Sequence, residues 1–146
     1  PLPPPKDTTV AAGQPLGPPL VSPSAAGGNR PEYIPGSIFR STLDRTHWLT
    51  FGYDRDQLPV FLETSTLLKP SEKGANPVAF TGENLLLSGW SWPDNTEKHL
   101  RNSVYAVVES AGSGQVVLFA SNPVYRGFWR GPARLLTNAV LMAPRR

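Results

Sequence analysis

Hydrophobic and polar positions divide the chain into a sparse leader and a patterned body. Over residues 1–35, large apolar side chains are few and are interrupted by Pro, Gly, Ser and Ala. Such a stretch buries too little surface to offset its ordering entropy, and its prolines remove backbone donors, so neither a helix nor a central strand is available to it. It predicts an extended linker or a long surface loop, with its last part, Arg30 to Gly36, docked on the body through Tyr33 and Ile34. The functional alternative is a polyproline ligand for an aromatic groove.

From Ser37 the pattern changes, and residues 36–146 form the second unit. Ser37 to Leu43 alternates as a strand, with Ile38 and Phe39 on opposite faces and Asp44-Arg45-Thr46 as the turn that follows. His47 to Tyr53, with three aromatics and Gly52, predicts a short helical turn or tight corner on the core. Further strands are expected at Val60 to Leu67 and Asn76 to Thr81, with a short buried one at Asn84 to Gly89. Ser103 to Ser110 and Gln115 to Ser121 are β-branched runs separated by Ala111-Gly112-Ser113-Gly114, the pattern of an antiparallel hairpin. The second of these runs is almost continuously apolar, which predicts a strand covered on both faces. One helix is expected, Pro132 to Ala143, with Pro at its first position, an apolar face of Leu135, Leu136, Ala139 and Val140, and Pro144 as its stop. A set of strands with a single helix leaves one sheet face without cover.

Composition adds limits. Seventeen Pro and 13 Gly are present in 146 residues, and more than half of the Pro precede Ser37, which separates leader from body. The absence of Cys removes disulfides, thiolate nucleophiles and Cys-based zinc knuckles from consideration. A net charge of +3 with scattered Arg gives little support to nucleic-acid binding. No window approaches the roughly 20 apolar residues that span a bilayer. A chain starting at Pro1 is expected to be a processed or excised piece of a longer one.

Candidate chemistry is sparse. His47 and His99 begin no zinc-binding pair; His47 fits a corner histidine bonded to backbone, and His99 a solvated position. Ser113 lies in a Gly-flanked hairpin turn rather than at a strand-to-helix elbow. Glu63, Glu83, Asp94, Glu97 and Glu109 are isolated from one another along the chain. Aromatic and basic residues concentrate from Asn122 to Arg134, where Tyr125, Phe128 and Trp129 stand beside Arg126, Arg130 and Arg134. These fit either a cation-rich binding surface or a packed corner, with Tyr125 and Phe128 under the helix and Arg126 on backbone carbonyls. Trp90 and Trp92 fit a stacking platform or domain packing.

In order, YIPGSIFRSTLDRTHWLTFGY, NLLLSGW and AGSGQVVLFASNPVYRGFWRGPARLLTNAVLMAP resemble one known domain. It is the C-terminal accessory domain of large bacterial zinc carboxypeptidases of the carboxypeptidase A superfamily, itself similar to class I glutamine amidotransferases. Pro35-Gly36-Ser37, Asp44 with His47, Leu49, Gly52 and Tyr53, Leu87-Ser88-Gly89, and Gly112 to Trp129 carry the likeness. It extends over Pro31 to Pro144, and Asn122 to Trp129 is its most specific part. Trp48 replaces a Pro of the family pattern and Tyr125 a Phe. The first parallel strands and any amidotransferase-like nucleophile elbow are missing from this chain.

The resemblance implies an α/β fold. The chain would supply the C-terminal portion of a glutamine amidotransferase-like (flavodoxin-like) sheet, with an antiparallel hairpin and one C-terminal helix. It implies a non-catalytic accessory or scaffold role, with zinc held only by the catalytic domain of the parent enzyme and Asn122, Arg126 and Trp129 fixing the strand-to-helix corner. Its partners would be the remainder of the parent polypeptide, a twin subunit or a substrate chain, with no nucleic acid or membrane. Localisation would be secreted or periplasmic. The alternative is a carbohydrate- or peptide-binding module using Trp90, Trp92, Tyr125 and Trp129, with Arg130 beside them.

Overall fold

A computed structural model of the protein describes residues 29–144; most of the predicted linker, residues 1–28, lies outside them. The first strand, β1 (Ser37–Leu43), alternates as its sequence demands, with Ser37, Phe39, Ser41 and Leu43 buried and Thr42 exposed. Two serines on the buried face are tolerated because both are bonded. Ser41 donates to Leu58 O at 2.7 Å, and Ser37 bonds the backbone of Trp90.

A six-stranded sheet is built outward from β1. Strand β2 (Gln57–Leu62) lies along one side, with Phe39 opposite Val60 and Ile38 opposite Phe61. The other side of β1 is shared by β3 (Ala75–Phe80), paired with Ser41 to Leu43, and β4 (Leu86–Ser88), paired with Ile38 and Phe39. Strand β5 (Val104–Ala111) follows β3, and β6 (Gly114–Phe119) closes the order at the far edge. Every pairing is antiparallel. The expected hairpin and C-terminal helix are both present, whereas parallel strands of the kind a flavodoxin-like sheet requires are not found among the described residues. Phe39, Leu49, Val60, Leu62, Val78, Leu100, Tyr105 and Leu135 meet in one core. Among the described residues no helix is long and apolar enough to cross a membrane.

Several boundaries differ from expectation for identifiable reasons. Strand β2 starts at Gln57, before Pro59; that proline is accepted because β2 is an edge strand and its missing N–H costs no ladder bond there. It ends at Leu62, and Thr64 Oγ1 turns the chain by accepting from Thr66 N at 2.9 Å. The segment around β4 is buried only at Leu85; Leu87 and Ser88 are exposed. Strand β6 is not covered on both faces. Val117 and Phe119 reach the core, while Val116 and Leu118 stand 43% and 47% exposed on the outer face. The hairpin turn has Gly112 at φ +59°, which suits a glycine at the first central position of a two-residue loop.

The helical parts are short. Trp48–Thr50 forms a 3-10 turn, and α1 (Thr96–Leu100), absent from the expected elements, buries Thr96 and Leu100. Glu32 N donates to Asn95 Oδ1 and Asn95 Nδ2 to Arg30 O, so the segment ahead of β1 is laced to the start of α1. Ile34 is buried there and donates its N–H to Thr64 O at 2.9 Å. The last helix, α2 (Ala133–Leu141), follows Pro132. Its inward face is Leu135 and Asn138, with Leu136 and Ala139 half-buried. Val140, expected inside, is 73% exposed, because Asn138 takes the central inward position and turns Val140 away.

Candidate functional site

Two motif regions have built geometry. The first is the corner from Asp44 to Tyr53. Asp44 Oδ1 accepts from the Thr46 hydroxyl at 2.6 Å and from Thr46 N at 3.0 Å, and these bonds hold its carboxyl below the ordinary range. Thr50 Oγ1 donates to the carbonyls of Asp44 and His47. His47 caps the 3-10 turn, its Nδ1 accepting from Leu49 N at 3.1 Å, and burial lowers its pKa, which Asp44 only partly opposes. Tyr53 donates to Gly131 O at 2.8 Å and joins the corner to the segment before α2; burial raises its phenol to about 12. From α2, Asn138 Nδ2 donates to Leu49 O and Phe51 O at 2.8 and 2.9 Å. The corner is thus a packing joint, and its histidine is a neutral backbone acceptor.

The second region is an aromatic cluster on the β2 side of the molecule. On β2 the buried positions are Leu58, Val60 and Leu62, so Phe61, half-buried, lies on the opposite face, and Glu63 follows it, exposed. Gly36, at φ +111°, sits close enough that an added Cβ would lie 3.2 Å from the Phe61 ring. The turn Tyr125–Gly127 crosses here. The Tyr125 ring lies 4.4 Å from Phe61, tilted by 33°, and meets Phe128 edge-on at 5.8 Å. Its hydroxyl donates to Glu63 Oε2 at 2.5 Å, and Tyr33 donates to Glu63 Oε1 at 3.5 Å. The Glu63 hydrogen bond raises the Tyr125 phenol above its ordinary value. Tyr33 and Phe128 remain 52% and 62% exposed.

Arg126 is held at φ +48°, a left-handed conformation uncommon outside glycine. Its guanidinium carbon lies 5.1 Å from the Tyr125 ring centroid. The packed-corner expectation is corrected in two respects. Phe128 is open to solvent rather than under the helix, and Arg126 rests on an aromatic face rather than on backbone carbonyls. Both follow from the left-handed pair Arg126 and Gly127, which turns the chain back over β2 before α2 begins.

The other candidate residues lie apart from this cluster or at its margin. Trp90 is held by Ser37, which accepts from Trp90 N at 2.8 Å and donates to its carbonyl. Its ring meets Trp92 at 5.7 Å and 87°, an edge-to-face pair that presents no flat platform. Trp92 lends its carbonyl to the N–H groups of Asn95 and Glu97 at the head of α1. Asn122 Oδ1 accepts from Val124 N at 3.0 Å and shapes the turn after β6. Trp129 is half-buried, and its indole N–H is buried without a partner among the described residues. Arg130 is exposed. His47 and His99 sit in separate elements, and among the described residues no group of three His, Asp or Glu side chains is placed to hold a metal ion.

Sequence reasoning singled out Tyr125 and Phe128 but not Tyr33, Phe61 and Glu63 as their partners. The period-two pattern of β2, continued one residue past its end at Leu62, places Phe61 and Glu63 on one side, yet nothing local joins them to Tyr33 or Tyr125, which lie 30 and 62 residues from Glu63. No family model, curated protein or solved structure matches this chain.

Proposed function

We propose that this chain is a non-catalytic accessory module of a longer, carboxypeptidase-like polypeptide. In this role it docks on another polypeptide segment through the cluster of Tyr33, Phe61, Tyr125 and Phe128 around Glu63. The observation that carries the docking role is the exposure of large rings on a framework that fixes them. Phe128 and Tyr33 offer open faces, while Tyr125 is pinned between Phe61, Phe128 and the Glu63 carboxylate. Rigid aromatic rings lose little side-chain entropy on association and are the residues that dominate binding hot spots.

The likeness of Pro31 to Pro144 to carboxypeptidase accessory domains supports the choice of parent. In that reading the antiparallel sheet is the later portion of an amidotransferase-like, flavodoxin-like domain whose parallel strands precede it in the longer polypeptide, and zinc belongs to that polypeptide's catalytic domain. A secreted or periplasmic setting belongs to the same proposal. A carbohydrate platform on Trp90 and Trp92 is less favoured, because the two rings stand at 87°.

The test is to compare this chain with a version extended toward its N-terminus for zinc content and peptide hydrolysis, and to place Tyr33→Ala with Phe128→Ala in the extended protein. Zinc and hydrolysis confined to the extended protein, with the paired substitution loosening its thermal transition while zinc content holds, is the expected result. Zinc binding and hydrolysis by the short chain alone would overturn the proposal.

A further inference from the structure

Among the described residues Glu63 is the one acidic group inside the aromatic cluster, and its environment is chemically specific. Each carboxylate oxygen accepts one phenolic hydroxyl, from Tyr33 and from Tyr125. A carboxylate offers about four acceptor sites, so two remain open on an exposed group. No ion pair of Glu63 is found among the described residues, where the pairs are Arg45 with Asp56 and Lys98 with Asp94. The aromatic faces around it carry the negative quadrupole that attracts cations, and the protein already shows the effect, with the Arg126 guanidinium over Tyr125. Arg126 occupies that ring without pairing to Glu63, so among the described residues the carboxylate stays uncompensated beside the open rings of Tyr33 and Phe128.

We infer that this cluster anchors a single basic side chain, guanidinium or alkylammonium, of the polypeptide segment that docks there. The inference rests on the docking role proposed above and adds the chemistry of the anchor. An acidic or phosphorylated segment would bring its charge against Glu63, and a purely apolar one would desolvate the carboxylate without compensation. Arg126, already over the Tyr125 ring, opposes a run of several cations, so one basic residue in a neutral context fits best.

Two peptides differing only in charge test this: acetyl-Gly-Gly-Arg-Gly-Gly-amide and the same peptide with citrulline, titrated into the chain while the ring resonances of Tyr33, Tyr125 and Phe128 are followed. The Arg peptide is expected to bind about tenfold more tightly than the citrulline peptide, and Glu63→Gln is expected to abolish that preference. The Gln keeps one amide oxygen to accept from one phenol and offers its Nε2 as a donor to the oxygen of the other, and its urea midpoint reports whether it folds. Equal affinity for the two peptides, a preference that survives Glu63→Gln, or no shift at millimolar Arg peptide would each overturn the inference. Equal affinity would leave the docking role intact, which the extended protein tests separately.

Discussion

Replacing Asn138 by Ala removes the link between α2 and the corner 89 residues earlier in the chain. The side chain is buried and donates to two backbone carbonyls, Leu49 O and Phe51 O, at 2.8 and 2.9 Å. Loss of the amide leaves these acceptors without their donor at a packed joint, and each such loss costs about 1–3 kcal/mol. A total of about 3 kcal/mol is expected, because the end of the corner at Phe51 is open enough for water to recover part of the second bond. Urea denaturation measures this directly. With a slope of about 1–3 kcal/mol per molar urea for a domain of this size, the midpoint should fall by more than about 1 M with little change in slope. Asn138→Asp should cost more, since it replaces the donor by a charge facing two carbonyls. A loss below about 0.5 kcal/mol for Asn138→Ala, within the range of ordinary surface substitutions, would refute the view that this amide holds α2 in place.

Other consequences are open to the same kinds of measurement. Gly89→Ala places a Cβ 2.6 Å from Ser37 Oγ at φ +95°, so a cost above about 2 kcal/mol is expected in denaturation, with Trp90 fluorescence reporting a loosened clamp. Arg126→Ala should lose the cation–ring contact, about 0.5–1 kcal/mol, whereas Arg126→Gly should recover most of that by relieving the left-handed backbone; a larger loss for Gly than for Ala would contradict the strain. The corner also sets a pH dependence. His47 has its pKa lowered from 6.5 by burial, so the unfolded chain takes up the proton first and stability falls as pH drops below that value. Asp44, lowered from 3.8 by its Thr46 bonds, contributes stability above that value, and this is lost as pH falls through the folded-state pKa. Stability measured against pH should lose the upper slope in His47→Ala and the lower one in Asp44→Asn.

Local patterning made β1, the β5 and β6 hairpin, the His47 corner and the position of α2 legible, because each rests on alternation, turn residues or a proline at a helix start. The errors came where tertiary context decides. The apolar run of β6 predicts cover on both faces, but an edge position leaves Val116 and Leu118 half open. Pro59 hides the start of β2 from any reading that treats proline as a strand breaker. On α2, counting apolar residues favours Val140, while the buried position belongs to Asn138 because a polar side chain was needed to satisfy the corner carbonyls. The candidate site was visible only in part. Tyr125, Phe128 and Arg126 stand together in the sequence, but Glu63 gains its meaning from strand pairing and a distant turn that bring two phenols to it.

The proposed docking of another polypeptide segment on the rings around Glu63 can be read by hydroxyl-radical footprinting of Tyr33 and Phe128. Both rings should label readily in the isolated chain, where they are 52% and 62% exposed, and be protected in the N-terminally extended protein, while the exposed ring of Phe51 labels alike in the two. Equal labelling of Tyr33 and Phe128 in the isolated chain and the extended protein would rule out docking through these rings.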